Sequence, residues 1–233
     1  NDIDHITPIV WKMIDDGYPV AVYCLNPEYD IQNDYRLSFL RANGVKVDYL
    51  YNASGHKPVG LHRFMCSVMF RSYLFHKQLA HWHRGVQSPL TAILGKFARE
   101  IGKLSYASLK TLFYRKAWAL DFLKKTDARV LCFDHIRPRQ YVVGIMLNVA
   151  KEKGIPTIAL PHGVFIYLND LIKEGATEER GYDKYNQFDY TIIQNRQRRE
   201  YLIKSGVHGK KIYALGSARY CDEWMKIISD FIP

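Results

Sequence analysis

The chain has few cysteines: Cys24, Cys66, Cys132 and Cys221 stand far apart among 233 residues, without the spacing of a disulfide framework or a zinc site. Cys24 and Cys132 fall inside apolar runs that read as core strands, so reduced, structural thiols in a cytoplasmic protein are expected. Long apolar runs are missing too: none reaches the roughly 18 to 20 residues a bilayer-spanning helix needs. The opening residues, Asn1 to Asp4, have neither the basic start nor the apolar stretch of a signal peptide. Internal repeats and low-complexity tracts are absent, which argues against a solenoid and against a largely disordered chain. Acidic residues are scarce in one place. From residue 60 to 118 there are ten Lys and Arg against Glu100 alone, a net of +9, while the whole chain carries +10. One segment therefore holds nearly all the excess charge.

What is present fits an ordinary globular protein, with 48% apolar and 24% charged residues and enough length for one large or two small domains. The organising stretch runs from Ala128 to Gly163. Ala128 to Asp134 is a short apolar run that ends on Asp134 and His135, as a buried parallel strand ends at a site. Tyr141, Val142, Ile145, Met146, Val149 and Ala150 recur at three and four, predicting a helix from Arg139 to Lys153 stopped by Gly154. Ile155 to Leu160 is a second strand, running into Pro161, His162 and Gly163. Strand, helix and strand make a parallel crossover, and ligands of such sheets bind beyond the carboxyl ends of the strands.

Upstream, the spacing predicts a helix over Asp4–Asp16, with Thr7 and Pro8 as cap and first turn and Gly17 as stop. No strand precedes it, so a few more residues are expected upstream. Strands at Pro19–Leu25 and Val45–Tyr51 flank a short helix at Asp34–Asn43. Asn52 to Pro58 reads as a polar loop. Residues 60–126 read as three helices, Leu61–Trp82, Pro89–Leu104 and Tyr106–Lys125. Three readings of their charge stay open: a solvated face on a helical layer, a surface for anionic lipid or acceptor with Trp82 and Trp118 at the interface, or nucleic acid. No recognised nucleic-acid motif accompanies the charge, so no specific nucleic-acid partner is expected. Downstream come a long segment at Val164–Gln187, a strand at Phe188–Gln194, a basic helix at Asn195–Ser205, a strand at Lys211–Leu215 and a last helix at Tyr220–Phe231.

From Pro161-His162-Gly163 onward the chain has a strand carrying Asp189 and ending at Gln194-Asn195, a helix ending at Gly206, and a strand ending in Gly216-Ser217-Ala218-Arg219. This ordered set resembles the amino-terminal half of GT-B glycosyltransferases and their relatives in bacterial surface-carbohydrate synthesis, including capsule-polysaccharide transferases, CDP-glycerol glycerophosphotransferases and UDP-N-acetylglucosamine 2-epimerases. The resemblance implies an α/β, Rossmann-like parallel sheet flanked by helices, one half of a GT-B architecture with a basic helical insertion at 60–126. Residues 1–220 would form the acceptor-side domain, and 221–233 would begin a linker or crossing helix to a second, donor-binding domain. It implies a nucleotide-activated sugar as co-substrate, no resident cofactor or metal, a glycan or lipid-linked acceptor, and a cytoplasmic place, peripheral on the inner face of the plasma membrane. The other reading is a noncatalytic module whose basic helices at 60–118 bind anionic lipid or polymer.

Transfer of a sugar or glycerophosphate needs a base for the acceptor hydroxyl, or a carboxylate nucleophile, and donors for the leaving phosphate. His162 is the candidate base or acceptor orienter, with Gly163 permitting close approach; a turn-capping histidine is the plainer reading. Asp134 either fixes a histidine tautomer, acts as a carboxylate catalyst, or caps the next helix. His135, Arg137 and Arg139 are candidate substrate contacts, or a solvated first turn. Gly216, Ser217 and Arg219 read as a phosphate-facing turn ahead of a helix.

Overall fold

The computed structural model describes residues 3–26, 29–53, 64, 68, 69, 71–76, 78, 89–134, 141–161 and 182–230. Chain order is α1 (Ile3–Asp15), β1 (Ala21–Cys24), α2 (Tyr35–Ala42), β2 (Lys46–Tyr49), α3 (Pro89–Phe113), α4 (Lys116–Thr126), β3 (Leu131–Asp134), α5 (Tyr141–Lys153) and β4 (Thr157–Leu160). A 3-10 turn at Tyr182–Gln187 leads into β5 (Tyr190–Ile193), α6 (Arg196–Lys204), β6 (Ile212–Ala214) and, past a second such turn at Ala218–Tyr220, α7 (Asp222–Ser229). The protein is mixed α/β with parallel sheets flanked by helices. The strands form two ladders among the described residues, β1-β2 and β3-β4-β5-β6, every pairing parallel.

Local chemistry sets the helix ends. Asp34 caps α2 by accepting from the Arg36 and Leu37 amides, and Asn195 caps α6 by accepting from the Arg198 amide at 2.7 Å. Gly154 ends α5 with φ +66°, a left-handed residue that lets the Ile155 amide reach back to the Ala150 carbonyl. At the start of α1 the expectation is corrected: the helix begins at Ile3, and Pro8 lies inside it. Pro8 offers no N–H to the Asp4 carbonyl, and the Thr7 hydroxyl donates instead to the Ile3 carbonyl at 2.7 Å. So Thr7 bonds backward as a helix residue and does not cap.

Helices cover both faces of the first ladder and one face of the second. Val10, Ile31, Leu37, Leu40 and Val45 form a core between α1, α2 and one face of β1-β2. Tyr23 and Leu25 leave the first ladder on the other face and meet α4, whose Trp118, Ala119, Phe122 and Leu123 share a larger core with α5 and with Phe133 and Ala159. Along the second ladder Phe133 pairs with Ala159, Ala159 with Thr191 and Thr191 with Ile212. All four are buried, under α5 at one end and α6 at the other, where Tyr201 and Leu202 pack on Ile193 and Ile212. The opposite face is barer: Cys132, Tyr190 and Tyr213 are exposed. Cys132 is exposed, which corrects the expectation of a core position for it; among the described residues β3 is the edge strand of its ladder.

The helical segment needs one correction. The break falls at Tyr114-Arg115 and not at Ser105, so α3 runs unbroken for 25 residues. Trp118, which one of the three readings places at a lipid interface, is 1% exposed at the centre of the large core, as a helical layer packed on the sheet requires. Trp82 lies outside the described residues.

Asp189 closes the amino-terminal edge of the second ladder. Its carboxylate accepts from the Thr157 amide and hydroxyl, both at 2.9 Å, and its own amide donates to the Thr157 hydroxyl oxygen at 3.1 Å. Thr157 is buried, so removing the carboxylate strands a backbone donor away from water. Asp189→Ala is expected to lower stability by about 1–3 kcal/mol, read as a shifted urea midpoint at unchanged slope. An unchanged midpoint would show that water replaces the carboxylate.

Candidate functional site

Four parallel strands bring four carboxyl ends to one edge. Asp134 ends β3 opposite Leu160, the last residue of β4, with Pro161 next. Ile193 of β5 pairs with Ala214 of β6, and the Leu215 amide donates to the Ile193 carbonyl at 3.0 Å, so Asn195 and Gly216 leave on the same side. Asp134 is half-buried and shares its face with Cys132, away from α5. Of the residues singled out from the sequence, Asp134, Gly216, Ser217 and Arg219 are described; His135, Arg137, Arg139, His162 and Gly163 lie outside the described residues.

The edge does not gather the described candidates into one cluster. Asp134 and Gly216 leave the two outer strands of the four, three strand spacings or about 14 Å apart. That separation suits the two ends of an extended ligand, not two groups on one reacting atom. Gly216 has φ +89°, a left-handed turn that redirects the chain onto the amino-terminal end of α1. There the Ser217 hydroxyl lies 3.4 Å from His5 Nδ1, and the Arg219 guanidinium 3.8 Å from the Asp4 carboxylate. Ser217 and Arg219 are thus engaged in docking the turn on α1.

Beyond this turn lies a buried polar chain. The Arg36 guanidinium donates to Asp4, to both oxygens of Asp34 and to the Tyr29 hydroxyl. Tyr29 also donates to Asp34. Burial, then the Asp34 carboxylate, pushes the Tyr29 phenol up to about 12. Burial alone would raise Asp34, but hydrogen bonds from Arg36, Tyr29 and the Leu37 amide outweigh it and hold the carboxyl well below its usual range. These groups are paired with one another and serve to fix α1 against α2.

An open cleft of about 430 Å³ lies beside β6, lined by Arg196, Arg199, Glu200, Ile212, Tyr213, Ala214 and Leu215. It adjoins the chain leading into Gly216 and offers two guanidinium groups. The Arg199 guanidinium also donates to the Gly209 carbonyl at 3.3 Å. In the sequence α6 is a basic helix without an assigned role; Arg196 and Arg199 at i and i+3, on one helix face, are the signal of the cleft.

No protein-family model matches the chain, and neither curated proteins nor solved structures yield a match.

Proposed function

We propose that the chain is the acceptor-side domain of a GT-B-type glycosyltransferase of bacterial cell-surface polysaccharide synthesis, moving a sugar or polyol phosphate from a nucleotide-activated donor. The observation that supports this most is the common carboxyl edge: the Asp134 and Leu160 ends lie side by side in register, so Asp134 stands on the strand next to the one that runs into Pro161 and His162. On this reading His162 takes the acceptor hydroxyl proton or orients the acceptor, and Asp134 fixes the imidazole tautomer. Arg196, the first residue of α6 and so at the far end of the same edge, supplies positive charge for an anionic part of the ligand. Donor binding belongs to a second domain, and the protein works at the cytoplasmic face of the membrane.

The test is transfer of labelled sugar, from a panel of nucleotide sugars to glycan and lipid-linked acceptors, by the full-length protein. Asp134→Asn and His162→Ala are each expected to lower transfer about a hundredfold, the scale of a lost acid–base group, with thermal unfolding unchanged. Transfer near the starting level in both variants would remove the catalytic assignment. No transfer from any donor would remove the enzyme reading.

A further inference from the structure

Helix α3 is built inside out for a helix that faces water. Toward the rest of the protein it buries Gly95, Ala98 and Gly102, and a Cβ placed on Gly102 would meet the His76 Cβ at 3.6 Å and the Tyr73 ring at 3.8 Å. Outward it presents Ile93, Phe97 and Leu104, which are 66%, 65% and 70% exposed. These sit at i, i+4 and i+11, a single stripe. A helix packed on an aqueous protein normally places its small residues outside and its large apolar ones inside.

An outward apolar stripe also occurs in the stretch that packs on Gly102, although a large residue is buried there. Tyr73 is buried there, while Phe64, Val68 and Phe75, again at i, i+4 and i+11, are exposed. Two outward apolar stripes of one register are more than scattered surface residues, and they call for a covering partner.

Charge says which partner. Exposed Arg71 stands within the second stripe, and exposed Lys96 and Lys103, seven apart, flank the first on one side. The one acid between residues 60 and 118 is Glu100; it is exposed within the first stripe, seven residues after Ile93, and there it pairs with Lys103 at 2.7 Å. These groups belong to the segment of net +9. Among the described residues no helix is long and apolar enough to cross a membrane, so a helix with this cross-section lies in the interface plane. We propose that the stripes of α3 and of residues 64–75 dock the protein on an anionic lipid surface, the apolar side chains entering the acyl boundary and Arg71, Lys96 and Lys103 meeting lipid phosphates. This does not rest on the transferase reading, because lipid binding and sugar transfer have separate readouts.

The experiment is co-sedimentation of the full-length protein with vesicles of phosphatidylcholine, with and without phosphatidylglycerol. Binding is expected only with phosphatidylglycerol and should weaken as salt rises. The double change Lys96→Gln, Lys103→Gln is expected to weaken it about 30-fold, at about 1 kcal/mol per basic residue. Phe97→Ser with Leu104→Ser should weaken it about tenfold or more. Both pairs are on the surface, so circular dichroism should match the parent. No binding to phosphatidylglycerol vesicles, or equal binding by both variants, would overturn the proposal. So would a parent that is dimeric and a Phe97→Ser, Leu104→Ser variant that is monomeric by sedimentation equilibrium, because a second copy would then cover the face.

Discussion

Trp118→Ala is expected to destabilise the protein by about 3–5 kcal/mol, the range for truncating a large buried aromatic side chain. Trp118 stands in the middle of a ladder on and just before α4. Its ring meets Tyr114 edge-on at 4.7 Å and stacks on Phe122 at 5.6 Å, and Phe122 meets Tyr23 of β1 edge-on at 5.2 Å. The cavity would therefore open where the first ladder, α4 and the second ladder share one core. Neighbouring aromatic rings anchored in a sheet collapse poorly into such a space. Trp118→Phe gives the contrast. The indole N–H has no acceptor among the described residues, so phenylalanine removes no hydrogen bond that they provide and keeps a ring in place; a loss of about 1.5 kcal/mol or less is expected. Equilibrium unfolding in urea distinguishes the two, and an alanine variant as stable as the phenylalanine one would mean that Trp118 is not the keystone of this core.

Arg36→Met is expected to destabilise by about 3–5 kcal/mol, because it leaves two carboxylates, Asp34 and Asp4, without the guanidinium they share. The Arg36 and Asp34 side chains are almost fully enclosed, and their closest contact is 2.5 Å. The pH dependence should change with it. The Asp34 carboxyl is held below its ordinary range in the folded protein. Its contribution is therefore fully present above its unfolded value of about 4 and is lost as pH falls toward the folded value. The parent should lose stability steeply below about pH 4, and Arg36→Met, with less depression of Asp34, should show a shallower decline. Parallel acid limbs for the two proteins would show that Asp34 does not couple to Arg36.

Much of the architecture could be read from pattern alone. The strand at 131–134, the helix at 141–153 and the strand at 157–160 each lie within the stretch that apolar spacing marks out, because Gly154 and the polar strand end are local signals. The break between α3 and α4 carries no such signal: neither Gly nor Pro stands at Tyr114-Arg115. It forms because Tyr114 turns into the large core, a tertiary cause. The place of Trp118 is open in the sequence: Tyr114, Trp118 and Phe122 at i, i+4 and i+8 mark a buried stripe, the surrounding basic residues suit a surface, and the structure decides for the stripe. At the candidate site, Asp134 at a strand end could be seen from sequence. The engagement of Ser217 and Arg219 with His5 and Asp4 could not, because side chains more than 200 residues apart leave no periodic trace.

That engagement also orders events in time. The contact between α1 and the turn at 218–220 closes a loop containing nearly every other described element, and closing it costs less chain entropy once the ladders between have assembled. It is therefore expected late in folding and early in opening. Since Trp224 of α7 rests on Trp11 of α1 and Phe39 of α2, the first and last helices share one fate. What loosens either of them is expected to loosen both, while the four-stranded ladder and its two helices stay closed.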